Sequence, residues 1–121
     1  MAKKILVIDD DPDVREALKL RLEASGYHVV TATGGISGLK VFEETQPDLI
    51  LLDVAMPDMD GYAFIKTFKA KYFGRYVPII VLTGKDSMKD VFELEGARAY
   101  LTKPCDPGEL VQTIQNLLRS R

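Results

Sequence analysis

Three aspartates stand directly behind runs of apolar residues. Asp9 and Asp10 follow Ile5 to Ile8, and Asp53 follows Leu49 to Leu52. Acids at the ends of buried runs are costly, because two unit charges about 4 Å apart repel by roughly 4 kcal/mol at an effective dielectric near 20. Convergent carboxylates call for a hard divalent cation. Mg2+ fits, since it takes one or two carboxylates, keeps several waters and accepts a phosphate oxygen; Mn2+ is the natural substitute. Two more polar residues close apolar runs: Thr83 after Pro78 to Leu82, and Lys103 just after Ala97 to Leu101. A hydroxyl donor and an ammonium both suit phosphoryl oxygens. Asp53, alone at its run's end, is placed to be a nucleophile, because carboxylates form acyl phosphates in covalent phosphoryl transfer. Catalysis at such a site is positioning plus neutralisation of charge.

The elements that must position these residues are legible from periodicity. Ile5 to Ile8 reads as a strand buried on both faces. Pro12 suits a first helical turn, Val14, Ala17, Leu18 and Leu22 keep helical spacing, and Gly26 marks the stop. Tyr27 to Ala32 reads as a second strand. Thr33 is placed to cap a second helix carrying Ile36, Leu39, Val41 and Phe42, which Pro47 breaks. Leu49 to Leu52 is a third strand, followed by the turn-rich loop VAMPDMDGY. Phe64, Ile65, Phe68 and Tyr72 mark a third helix, ended by Gly74. Pro78 to Leu82 is a fourth strand. Met88, Val91, Phe92 and Glu95 suggest a short fourth helix stopped by Gly96. Ala97 to Leu101 is a fifth strand, and Leu110, Val111, Ile114, Leu117 and Leu118 form the apolar stripe of a last helix. Such alternation predicts parallel strands with right-handed crossovers and helices on both sheet faces. Ligands of such folds sit outside the carboxyl ends of the strands, where strand order reverses. If strands one, three, four and five are neighbours, Asp9, Asp10, Asp53, Thr83 and Lys103 converge there.

Composition bounds the rest. The 121 residues suit one domain spanning 1–121. With 16 basic against 18 acidic residues and no basic run, the chain is not expected to bind nucleic acid directly. One cysteine, Cys105, allows no internal disulfide and points to a reducing compartment. No apolar run approaches the roughly 20 residues that span a bilayer, and the run after Met1 is too short for a signal peptide. The expected location is the cytoplasm.

Four motifs, in order and each at a predicted strand end, closely resemble the receiver domain of two-component response regulators: the pair Asp9-Asp10, D-V-A-M-P-D-M-D-G from Asp53 to Gly61, L-T-G at Leu82 to Gly84, and Y-L-T-K-P at Tyr100 to Pro104. The resemblance covers essentially the whole chain. It implies a doubly wound α/β fold with five parallel strands in flavodoxin-like order 2-1-3-4-5 and five helices. It implies that Asp53 accepts a phosphoryl group from a histidine kinase or phosphotransfer protein. It implies Mg2+ held by Asp10 and Asp53, by the backbone carbonyl of Ala55, and by Asp9 through water. Thr83 and Tyr100 would be the switch pair, and Lys103 would pair with the phosphoryl group through a chain whose Lys103–Pro104 bond is cis. The output face would be the fourth helix, fifth strand and fifth helix, contacting an effector domain or protein, with a monomer or a phosphorylation-dependent dimer as the assembly. The segment from Thr83 to Gly96 is shorter than the family's usual length. Ala55 lies where side chains tune dephosphorylation and cannot position a water. The Ala55→Asn variant is therefore expected to lose its phosphoryl group faster than the native chain, which a phosphoryl-lifetime assay reads directly.

Plainer roles suit other residues. Asp11 and Asp13 read as charges of a helix's first turn, His28 as a structural strand residue, and Cys105 as a packed thiol. Thr33-Gly34-Gly35-Ile36-Ser37-Gly38 lacks a phosphate-loop lysine and reads as a helix start. The competing functions are a Mg2+-dependent phosphohydrolase with an aspartyl nucleophile, for which the short loops offer no substrate cap, and a phosphorylation-independent binding module. The chain is expected to be either a stand-alone receiver or part of a longer regulator, with no turnover of a separate substrate.

Overall fold

The computed structural model describes residues 2–53, 59, 61–72, 74–83, 96–102 and 106–119. Five strands build one sheet: β1 (Lys4–Ile8), β2 (His28–Ala32), β3 (Leu49–Asp53), β4 (Ile79–Thr83) and β5 (Ala99–Thr102). All neighbours are parallel, in the order β2-β1-β3-β4-β5. Four helices are seen among the described residues: α1 (Pro12–Ala24), α2 (Gly35–Thr45), α3 (Gly61–Lys71) and α4 (Pro107–Arg119). The predicted helix around Met88 to Glu95 lies outside the described residues, as does Cys105. Among the described residues, no helix is long and apolar enough to cross a membrane.

The strands alternate their side chains between two cores, as the period of two requires. Leu6, Ile8, Ile50, Leu52, Ile79 and Val81 meet Phe42 of α2 and Phe64, Ile65 and Phe68 of α3. Ile5, Val7, Leu49, Leu51, Ile80 and Leu82 meet Leu22 of α1 and Leu110 and Ile114 of α4. Burial on both faces explains why β1, β3 and β4 read as unbroken apolar runs. The edge strands, β2 and β5, carry half-buried and exposed residues instead.

Helix boundaries follow local chemistry. Asp11 is the N-cap of α1, its carboxylate accepting from the amides of Asp13 and Val14. Gly26, with φ 97°, lies just past the helix's end. One expectation for α2 is corrected. Its N-cap is Gly34, not Thr33: Ser37 Oγ accepts from the Gly34 amide at 3.1 Å and donates to the Gly34 carbonyl at 3.2 Å. Ile36 is 61% exposed and no part of the core. The buried line of the helix is Gly35, Gly38 and Phe42. A Cβ on Gly38 would sit 2.6 Å from Ile8 Cδ1, so α2 lies close enough to the sheet that any larger residue here would make the Ile8 side chain shift. An apolar-stripe argument counts side chains and overlooks a contact made by their absence.

Candidate functional site

The carboxyl edge of the sheet places the acids. The first strand pair ends with Ile8 opposite Ala32, and β1 is likewise paired to β3 through Ile8 and Leu52. Asp9 continues this ladder by one bond, its amide donating to the Ala32 carbonyl at 3.1 Å. Asp53 is the last residue of β3, opposite Leu82, and Thr83 is the next residue of β4. One carboxylate oxygen from each of Asp9, Asp10 and Asp53 lies within 4.8 Å of the others. Asp9 and Asp53 are only 2% and 8% exposed, whereas Asp10 faces solvent. Two walls of the cluster are thus protein and one is open to water.

The donor set fits Mg2+. Oxygens on opposite sides of one Mg2+ stand about 4.2 Å apart, twice its bond length, so a spread within 4.8 Å is close to what one ion spans. The open side leaves room for waters and an incoming phosphoryl oxygen, which this ion keeps in preference to a cage made wholly of protein.

Thr83, 7% exposed, ends β4 opposite Thr102 of β5. Tyr100 pairs with Val81, two residues before Thr83, so alternation puts Tyr100 and Thr83 on the same sheet face. Tyr100 is half-buried there against the core shared with α2 and α3. Lys103 and Ala55 lie outside the described residues. The structure therefore brings together Asp9, Asp10 and Asp53, with Thr83 on the neighbouring strand. Asp13 has the first-turn place expected of it, whereas Asp11, expected there as well, is the N-cap just before it.

Two contacts at this edge escaped the sequence reading. Arg15 Nη1 donates to the main-chain carbonyl of Asp9 at 2.7 Å. The tilt of helical side chains toward the N-terminus signals such a reach, since Arg15 lies one turn into α1. Met59, in the loop after Asp53, packs so closely on α2 that a Cβ on Gly35 would lie 2.8 Å from Met59 Cβ. Nothing in residue spacing marks that pair.

The fold and site agree with comparison to known proteins. Residues 5–115 match the family model of the response regulator receiver domain. The chain is 43% identical over 121 residues to the alkaline phosphatase synthesis transcriptional regulatory protein PhoP of Bacillus subtilis, covering 98% of this chain and 50% of that protein. A CheY-like response regulator receiver domain protein of Methanospirillum hungatei superposes with a TM-score of 0.90 at 34% identity, covering 99% of this chain and 96% of the other. The receiver domain of sensor histidine kinase PA1611 of Pseudomonas aeruginosa has a magnesium ion coordinated in its active-site cleft; it superposes at 0.87 with 30% identity, covering 98% of each chain. The chain belongs to the response regulator receiver family. Domains of this family are phosphorylation-controlled signalling switches of two-component systems rather than enzymes that turn over a separate substrate, and they bind Mg2+ in the active site. The chain spans about half the length of the curated relatives it matches.

Proposed function

We propose that Asp53 is the phosphoryl acceptor of this receiver and that residues 1–121 act as one switching domain. The observation that supports this best is the convergence of Asp9, Asp10 and Asp53 within 4.8 Å at the end of the central strands. A carboxylate oxygen of Asp53 attacks phosphorus, the bond from phosphorus to the donor's nitrogen breaks, and an acyl phosphate forms. Asp10, Asp53 and the Ala55 carbonyl would hold Mg2+, with Asp9 acting through water. When bound, the ion neutralises charge on the carboxylates and on the phosphoryl oxygens. Lys103 supplies a second positive charge, and Thr83 donates its hydroxyl to a phosphoryl oxygen. Turning Thr83 toward the group vacates space on the face it shares with Tyr100, and Tyr100 moves inward. Phosphorylation thereby biases a two-state element of the surface.

The donor is a histidine kinase or phosphotransfer protein. The receiver of the change is an effector domain or protein at the face of β5 and the helices flanking it, and the assembly is a monomer or a phosphorylation-dependent dimer in the cytoplasm. The curated relatives are transcriptional regulators about twice as long, so an output through an attached DNA-binding partner, rather than through this domain, accords with its near-neutral charge. Intact mass after incubation with a small phosphodonor tests the chemistry. The expected result is one phosphoryl adduct that appears only when Mg2+ is present. An adduct that forms equally without the cation, or none despite measured Mg2+ binding, would reject the assignment.

A further inference from the structure

We infer that Arg15 is a positioning residue for the metal site, aiming the Asp10 carboxylate through the Asp9–Asp10 peptide. This rests on the reading of the three aspartates as the cation's ligands. The Asp9 carbonyl belongs to the peptide plane that ends at the Asp10 Cα, and such a plane is rigid. Asp9 itself is held through both of its peptide groups, and only the second is the plane that leads to Asp10. The Asp9 amide donates to Ala32, which ties it to β2. The Asp9 carbonyl accepts from Arg15 Nη1 at 2.7 Å, which ties it to α1. The Asp11 amide also donates to Asp9 Oδ1 at 2.9 Å, closing the turn from the other side.

Asp10 needs such help more than its neighbours. Asp53 is held within β3, and Asp9 is buried, but Asp10 is exposed and follows the last ladder bond. Its direction depends on the plane before it. Arg15 is half-buried and itself anchored in the first turn of α1, its amide donating to the Asp11 carbonyl. Its guanidinium carries a positive charge. The charge opposes an incoming cation, whereas the hydrogen bond orders the ligand for it. The two effects have opposite signs, so a measurement separates them. Ordering is the stronger, because the bond is short and fixes a ligand that nothing else in the described turn holds by its own side of the plane.

The test uses the whole chain with Mg2+ as the probe, followed by calorimetry, and without phosphodonor. Arg15→Met keeps the bulk and removes donor and charge; it is expected to weaken Mg2+ binding about tenfold, the range in which residues behind metal ligands act. Arg15→Lys keeps a donor on a long stem and is expected to bind closer to the native chain than to Arg15→Met. A metal-free readout accompanies this: the Asp10 amide resonance, which lies in the clamped peptide, should shift in Arg15→Met and recover in Arg15→Lys. Should Arg15→Met fail to fold, Arg15→Gln, too short to span the gap, carries the same expectation. Equal or tighter Mg2+ binding by the neutral variant would overturn the inference, as would a lysine variant no closer to native than the methionine one. A native chain that takes up no Mg2+ would instead remove the ligand reading, and this inference with it.

Discussion

Asp53→Asn is expected to take up no phosphoryl group under conditions that fully modify the native chain, while folding at least as well. Both halves follow from the cluster. An amide is neither a nucleophile nor an anion, so no acyl phosphate forms in its place. The same change removes one of three charges packed within 4.8 Å. At that separation and an effective dielectric near 20, each pair repels by roughly 3.5 kcal/mol. The Asp9 and Asp53 pair, both buried, bears most of this, and exposed Asp10 is relieved by solvent. Without Mg2+, Asp53→Asn should therefore melt above the native chain. With saturating Mg2+ the order should narrow or reverse, because ligand binding stabilises the native chain by an amount that grows with concentration. Intact mass and paired melts with and without Mg2+ read both effects. A variant that still gains a phosphoryl group would place the acceptor elsewhere; a variant less stable without the cation would mean that hydrogen bonds of Asp53 outweigh its repulsion.

Phe42→Ala should cost about 3–5 kcal/mol, the usual loss when a buried phenyl ring is truncated. Phe42 is fully buried, with the Phe68 ring edge-on at 4.8 Å and the Tyr72 ring tilted at 4.7 Å. The Arg75 guanidinium lies over the ring, 5.5 Å from its centre. Three neighbours from α3 and its following turn thus converge on one ring of α2, so its loss opens a shared gap. Domains of this size have only about 5–15 kcal/mol to lose, and the drop in Tm should be on the order of 15 °C. Urea unfolding measures the change. A loss under about 1.5 kcal/mol would mean that the ring cluster collapses onto the gap. Phosphoryl uptake by the folded fraction should persist, since Phe42 belongs to the core under α2 and α3 and is not one of the clustered carboxylates.

Much of this protein was determined by the chain read alone. Unbroken apolar runs at β1, β3 and β4 are the pattern of strands buried on two faces, so the sequence itself calls for parallel strands with helices on both sides. The rule that such sheets bind ligands beyond their carboxyl ends then points to Asp9, Asp10, Asp53, Thr83 and Lys103; the three aspartates meet as a carboxylate cluster, Thr83 ends the neighbouring strand, and Lys103 lies outside the described residues. Local signals were equally direct where one residue type answers one backbone need, as for Pro12 at the start of α1 and Gly26 after its end. Strand order came from family resemblance, because periodicity records which face a residue buries and not which strand lies beside it.

Tertiary structure alone decided the contacts between elements. Ile36 has the right type for a core and the wrong angle on α2, since Gly35 and Gly38 occupy the buried line and draw the helix onto Ile8 and Met59. Arg15 looks like any exposed helical arginine until the turn at Asp9 is in place beside it. In both cases the deciding quantity is a distance across the fold. Hydrophobic pattern and propensity act within a segment of chain, whereas close approach and hydrogen bonds between segments exist only once packing has fixed where each segment lies.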